Sequence, residues 1–209
     1  MRILVTGGAN GIGRATTERL VEDHHVAVVD REKTDVECDE FLQGDVSDEE
    51  FIREVFSDGE FDVVVNCAGY YELGAVEDVG SDTVDEIYSS NVFGPLNVLR
   101  HSTEMLRERD GRIVNVASVA GRVTLPHYGI YCSTKHALRS LTEAQRMELH
   151  ETDVDVVLVE PGAVETGFNR RARDALEKYL PESFYSEKYR DIMGSDVNGV
   201  STGQAADVL

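Results

Sequence analysis

The stretch RILVTGGANGIGRATTERLVED, residues 2–23, followed almost at once by HVAVVD, residues 25–30, decides the fold. A short run of strand character enters a cluster of glycines, Gly7, Gly11 and Gly13, and leaves it in a helical pattern. Glycines at such a junction serve a tight turn, a close approach of backbone to a pyrophosphate, and close packing of helix on strand. Their spacing is G-x-x-x-G-x-G, not the G-x-G-x-x-G of the general dinucleotide motif. HVAVVD is a continuous apolar run of the kind found in strands buried on both faces. It ends in Asp30, 17 residues past Gly13. A carboxylate there is placed to accept hydrogen bonds from both adenosine ribose hydroxyls and to repel a 2′-phosphate. Arg31 offers the opposite attraction, but Asn10 in the loop brings no second positive charge, so NAD is expected over NADP.

The same alternation runs outward to the end of the chain. EFLQGD (40–45) reads as a third strand and SDEEFIREVF (47–56) as a capped helix with an acidic start. FDVVVNCAG (61–69), GRIVNVAS (111–118) and VDVVLVEPG (154–162) read as the fourth to sixth strands. Helical patterns occupy 81–106 and Tyr131 to about His150. Alternating β and α units imply an α/β fold: a Rossmann-type, doubly wound parallel sheet in three α/β/α layers, one domain over 1–209. Such a sheet binds ligands at the carboxyl ends of its strands, near the switch point. Residues 165–200 mix aromatics with charges and lack strand character, and are expected to form a helical lid.

Composition narrows the partners. The chain has 209 residues, 41% hydrophobic, and no apolar run near the ~18 residues of a membrane span. Strand pattern begins at Met1, leaving no room for a signal peptide, and Cys38, Cys67 and Cys132 read as reduced thiols of a cytoplasmic protein rather than disulfides or a zinc site. No metal is expected. Forty acidic residues against 20 basic give a net charge of -20, which repels nucleic acid and anionic membranes. Lysine occurs only at positions 33, 135, 178 and 188, so arginine supplies the other 16 basic residues. A lysine-poor, strongly acidic chain is expected to be halophilic, because molar salt cuts the screening length to ~3 Å and removes its self-repulsion.

With lysine so scarce, YCSTK (131–135) stands out. Positions i and i+4 share a helix face, so Tyr131 and Lys135 point together. A phenol has a pKa near ~10, and bringing it near 7 takes roughly 4 kcal/mol of preferential phenolate stabilisation. An ammonium at about 4 Å and an effective dielectric of ~20 supplies energy of that order. The pair then suits proton exchange with an alcohol or carbonyl while a hydride moves to or from a cofactor. Ser118, at the end of the fifth strand, is placed to hold the substrate oxygen for Tyr131.

Taken in order, these motifs resemble the short-chain dehydrogenase/reductases in their compact single-domain branch. TGGANGIG (6–13) is similar to the family's cofactor loop and GDVSD (44–48) to the segment whose acid, here Asp45 beside Val46, meets the adenine. NCAG (66–69) is similar to the family's NNAG, with Cys67 in place of the second Asn. NVFGPLNV (91–98) carries Asn91, IVNVASVAG (113–121) carries Ser118, and PGAVET (161–166) follows the sixth strand. The resemblance implies Tyr131 as acid/base, Lys135 lowering its pKa and binding the nicotinamide ribose, Ser118 polarising the substrate, and Asn91 in a proton relay. It implies cofactor contacts from Gly7, Asn10, Gly11, Ile12, Gly13, Asp30, Arg31, Asp45, Val46, Asn66, Ala68, Gly69, Pro161, Gly162, Val164 and Thr166, with Asn66 bracing the sheet more than doing chemistry. The family continues past the lid through another helix and strand, and STGQAADVL (201–209) reads as the start of that helix.

Tyr70, Tyr71, Leu73, Val119, Leu125, His127, Tyr128 and Phe168, with Phe184 and Tyr185 of the lid, are the substrate-facing candidates. Their character suggests an uncharged, moderately apolar alcohol or carbonyl; His127 reads as a loop residue, not a catalyst. Apolar stripes on the helices around 92–107 and 132–149 suggest a homodimer or homotetramer. Two other classes share the fold: a non-catalytic NAD sensor, from which the Tyr or Lys would be lost, and a nucleotide-sugar epimerase or dehydratase, which has a differently spaced glycine loop and a longer carboxyl-terminal domain.

Overall fold

A computed structural model describes residues 1–33, 35–164, 167–195 and 201–207, without the side chains of Asp58 and Phe168. Six parallel strands form one sheet: β1 (Arg2–Thr6), β2 (His25–Asp30), β3 (Glu40–Gln43), β4 (Val63–Asn66), β5 (Arg112–Val116) and β6 (Asp155–Val159). Their order is β3-β2-β1-β4-β5-β6, the doubly wound arrangement, so the chain reverses direction across the sheet between β1 and β4. Side chains alternate between the faces. Leu4, Ala27, Val29, Val64 and Ile113 pack on one side with Ile52, Val55, Val98 and Leu106. Ile3, Val5, Val26, Val28, Val65 and Val114 pack on the other, with Leu20 and Val21. Both faces are covered, which is why these strands read as unbroken apolar runs.

The helices are α1 (Gly11–Leu20), α2 (Glu49–Asp58), α3 (Ser81–Tyr88), α4 (Gly94–Glu108), α5 (Gly129–Glu148), α6 (Gly167–Asp174), α7 (Ser186–Met193) and α8 (Thr202–Ala206). β1 and β2 span their expected runs, whereas β3 to β6 stop short of theirs, since the residues beyond Gln43, Asn66, Val116 and Val159 turn into the loops that line the cleft. The helix expected to start at Ser47 is capped instead by Asp48, which accepts from the backbone N–H of Glu50 and Phe51 at 3.1 and 3.2 Å; Ser47 is taken by Asp45. The long helical stretch from 81 is interrupted by a π turn at Ser89–Phe93, which carries Asn91. Within the stretch expected as a lid, residues 167–193 hold two helices joined through a 3-10 turn at Ala175–Tyr179, while 165–166 and 196–200 lie outside the described residues. α8 opens with a capping box between Ser201 and Gln204 and packs on α1, with Asp207 paired to Arg19. Among the described residues no helix is long and apolar enough to cross a membrane, and all three cysteines are free thiols.

Candidate active site

A cleft of about 460 Å³ opens at the carboxyl ends of β1, β4 and β5, at the switch point. Its first wall is main chain. Gly7 and Gly11 adopt φ of +68° and +57°, a region costly for other residues. A Cβ on Gly13 would sit 2.2 Å from the Gly7 carbonyl oxygen, and one on Gly7 would sit 2.6 Å from the Ala68 Cα. This is a cradle that side chains would fill. Asn10, at the start of α1, makes no side-chain cap; its amide reaches Glu32 Oε2 at 3.3 Å instead. The first-turn N–H groups of α1, which have no helical partner, are thus left to face the cleft with Gly11, Ile12 and Gly13. That arrangement fits a pyrophosphate.

At the adenosine end, β2 delivers Asp30, whose carboxylate is oriented by the backbone N–H groups of Ala9 (3.0 Å) and Glu32 (3.1 Å). Asp45 accepts from the backbone and hydroxyl of Ser47, both at 2.8 Å, in the turn that also presents Val46. Arg31 lies in the cleft wall but is drawn to Asp45 (3.5 Å) and Glu86 (3.7 Å). Arg171 of α6 reaches Glu32 at 3.5 Å, joining the lid to this end.

At the other end, Ser118, Tyr131 and Lys135 meet. Ser118 follows β5 in extended conformation; its Oγ accepts from Ala120 N–H at 3.1 Å and is hydrogen-bonded to Tyr131. Lys135 lies one turn beyond Tyr131 on α5, with Nζ 5.8 Å from the phenol ring centroid. The two side chains face the same cleft, as the i, i+4 spacing requires. The expected electrostatics take a different form in the chain by itself. Burial pushes the Tyr131 phenol up to about 12, with the Ser118 hydrogen bond acting against it. Burial pulls Lys135, only 5% exposed, down to about 8, and its ammonium donates to the Val116 carbonyl at 3.1 Å. Desolvation therefore sets the direction at both groups, and the described influence that lowers the phenol is the Ser118 hydrogen bond. The nearby Cys67 thiol is raised by burial to about 12 and stays protonated.

Of the expected cofactor residues, the glycine-loop set, Asp30, Arg31, Asp45, Val46, Ala68, Gly69, Pro161, Gly162 and Val164 all line this cleft. Thr166 falls outside the described residues. Asn66 is buried away from the cleft: its amide donates to Asn115 Oδ1 at 2.8 Å, and Asn115 donates to Thr142 at 3.0 Å, tying β4 to β5 and α5. Asn91 is also fully buried. Its Oδ1 accepts from Tyr70 N–H (2.8 Å) and its Nδ2 donates to the Tyr70 carbonyl (2.8 Å) and to Thr134 (3.1 Å), so its side chain braces the loop after β4 against α5. Sequence reasoning missed Glu32, Cys67, Ser90, Asn169 and Arg171 as cleft residues. Glu32 was recoverable, lying two residues past Asp30; the lid residues had no periodicity to announce them.

Among the substrate-facing candidates, Tyr71, Val119, Leu125 and Tyr128 line the cleft. The side chain of Phe168 is not described, and Phe184 is 91% exposed. Tyr70, Leu73, His127 and Tyr185 serve the lid instead, because the loop over 70–78 is where the lid docks. Glu72 gathers the Tyr70 hydroxyl and Lys178, with the Tyr179 hydroxyl at 3.4 Å. The Leu73 N–H donates to the Ala172 carbonyl at 3.2 Å. The fully buried Tyr189 accepts from Ala75 N–H at 2.8 Å and donates to Asp78, which also takes the Ser183 hydroxyl at 2.6 Å. His127, at φ +65°, packs its ring edge-on to Tyr185 and Tyr189 at 5.4 and 5.5 Å, and burial lowers its pKa.

Comparison with known proteins agrees with this geometry. A model of the short chain dehydrogenase family matches residues 1–177. VdlC of Helicobacter pylori, a probable short-chain type dehydrogenase/reductase, is 31% identical over 92% of this chain and 79% of its own length. The 3-oxoacyl-acyl-carrier-protein reductase FabG of Staphylococcus aureus is 29% identical over 95% of this chain and 87% of its own. Among solved structures, the closed form of serine dehydrogenase complexed with NADP+ shares the fold with a TM-score of 0.85, at 23% identity, over 100% of this chain and 87% of that one. 4-Hydroxyisoleucine dehydrogenase complexed with NADH and succinate superposes with a TM-score of 0.73 at 28% identity, over 77% of this chain and 79% of that one. With most of its length matched and the glycine loop, strand-end serine and helical Tyr–Lys pair in one cleft, this chain belongs to the short-chain dehydrogenase family, oxidoreductases built on a nucleotide-binding Rossmann fold.

Proposed function

We propose that the protein moves a hydride between a nicotinamide cofactor, NAD in preference to NADP, and an uncharged, moderately apolar alcohol or carbonyl compound. The observation that carries this reading is the meeting of Ser118, Tyr131 and Lys135 in the same cleft as the glycine loop. The bound nicotinamide supplies or takes up the hydride. The α1 N-terminus and the glycine cradle hold the pyrophosphate, Asp30 the adenosine ribose, Lys135 the nicotinamide ribose, and Val164 the turn beside the ring. Ser118 orients the substrate oxygen, and Tyr131 exchanges its proton with that oxygen. A phenol held near 12 is fully protonated at neutral pH, so the chain's own residues are poised as the acid for carbonyl reduction. Asn91 positions this centre by clamping Tyr70 and Thr134.

Preference for NAD is supported by Asp30, Glu32 and Asp45 around the adenosine end, where the two described cleft arginines are already paired, Arg31 with Asp45 and Glu86 and Arg171 with Glu32. A 2′-phosphate there meets carboxylates, and both described cleft arginines are already engaged by them. NADH in the 28%-identical 4-hydroxyisoleucine dehydrogenase is in keeping with this. The pocket side, with Tyr71, Val119, Leu125 and Tyr128, is apolar and aromatic, which favours an uncharged substrate. The decisive experiment screens alcohols and ketones at 340 nm with NAD(H) and NADP(H), beside Tyr131→Phe. Turnover with a loss of about a thousandfold or more in Tyr131→Phe, and unchanged NADH affinity, is the expected result; near-normal turnover in that variant sinks the assignment. Run in molar KCl and at low salt, the screen also tests the halophilic reading, and light scattering tests a homodimer or homotetramer through α4 and α5, where Phe93, just before α4, and Met147 of α5 are exposed.

A further inference from the structure

Tyr71 stands where the lid and the acid/base meet. Its ring lies 4.6 Å, centroid to centroid, from that of Tyr131 and tilted 36° to it, and the residue is almost wholly buried. Its hydroxyl donates to Asn169 Oδ1 at 2.7 Å, and Asn169 Nδ2 donates to the Val164 carbonyl at 2.8 Å. All four residues line the cleft. Among the described docking contacts of the 70–78 loop, the Tyr71 side chain touches both α6 and Tyr131. An amide engaged at both ends has one orientation, and a ring packed on another restricts its rotamer and excludes water.

We propose that Tyr71 is a positioning residue: its ring sets the attitude and dryness of the Tyr131 phenol, while its hydroxyl, through Asn169, sets the Val164 turn, so that lid docking and the acid/base are fixed together. The inference rests on Tyr131 being the acid/base. It assigns two separable tasks to one side chain. The hydroxyl and Asn169 act as a unit, and the ring acts alone.

The test uses Tyr71→Phe, which keeps the ring, Asn169→Ala, which removes the acceptor, their double variant, and Tyr71→Met, which keeps apolar bulk without the ring. Tyr71→Phe and Asn169→Ala should each lower kcat/KM about tenfold, the worth of one buried neutral hydrogen bond, and the double variant should lose no more than either single. Ultraviolet titration of the free protein to pH 11, each variant measured against its Tyr131→Phe counterpart, reads the ring. Wild type and Tyr71→Phe should show almost no phenolate from Tyr131, whereas Tyr71→Met, with water admitted, should show about one tyrosine's worth. Losses that add in the double variant overturn the proposal, as does a Tyr71→Met titration matching wild type. If Tyr71→Met does not fold, the double-mutant cycle decides alone. Failure of the acid/base reading would look different: Tyr131→Phe itself would turn over.

Discussion

The glycine-loop wall and the lid wall of the cleft enclose the same volume by different means. On the first, contacts are between main-chain atoms a few residues or one strand apart: Gly13 on Gly7, Gly7 on Ala68. On the second, they are hydrogen bonds between side chains about a hundred positions apart: Tyr71 to Asn169, Ser183 to Asp78, Lys178 to Glu72. A main-chain wall presents the same surface whatever the side chains, which suits a constant ligand such as a dinucleotide. A side-chain wall can be re-cut by substitution without disturbing the sheet, which suits a substrate that differs from one relative to the next.

The contrast is broken most violently at Gly13. An alanine methyl there meets the Gly7 carbonyl oxygen at 2.2 Å and its carbon at 2.8 Å, backbone that cannot swing aside. Gly13→Ala should cost about 3 kcal/mol or more in urea unfolding, with NADH binding lost by titration. Gly162, which also lines the cleft, has nothing within 4 Å of where its Cβ would lie. Gly162→Ala should stay within about 0.5 kcal/mol of wild type. Equal effects at the two glycines would mean that packing of the loop on itself is not what makes that wall.

A smaller effect is expected on the lid wall. Asp78 accepts the hydroxyls of Ser183 and Tyr189, so Asp78→Asn replaces a charged acceptor of two bonds by a weaker neutral one. The cost should be about 1–2 kcal/mol. It should appear as faster hydrogen exchange and proteolysis within 167–193, with the protection of β1, β4 and β5 unchanged. Loss of sheet protection in step with the lid would show that the two regions are one cooperative unit.

The same division explains what could be read in advance. Apolar runs such as HVAVVD and the glycine spacing report local constraints, and local constraints leave periodic marks. Hence the doubly wound parallel sheet, a cleft at its strand carboxyl ends and the convergence of Ser118, Tyr131 and Lys135 there were legible. Asn66 and Asn91 had motif positions but not directions: both are turned into the protein, where Asn115 and the Tyr70 backbone satisfy them. Leu73 and His127 looked like pocket wall because nothing in the sequence says that YYELGAVED will be covered by residues 172–189. In the chain by itself the phenol lies above its ordinary pKa for a related reason. Spacing along a helix tells which groups are neighbours, while desolvation depends on everything else packed around them.

Lys135 lies between the two walls and gives the mildest test of how they differ. Burial lowers its pKa from 10.5 to about 8, so the folded protein releases this proton at a pH where the unfolded chain still holds it. The unfolded state therefore binds more protons between about 8 and 10.5, and this group's contribution to stability rises with pH across that window. Its effect on cofactor binding has the opposite sign. Below pH 8 the ammonium is present to meet the nicotinamide ribose and the dinucleotide's negative charge; above it the amine is neutral. NADH affinity, followed by fluorescence, should be flat on the acid side of about pH 8 and weaken several-fold above it. Lys135→Gln should bind weakly throughout, without that inflection, while unfolding more slowly in denaturant at neutral pH because no charge is buried. If the inflection survives the substitution, the titrating group belongs to the glycine-loop wall, and the lysine contributes only its packing.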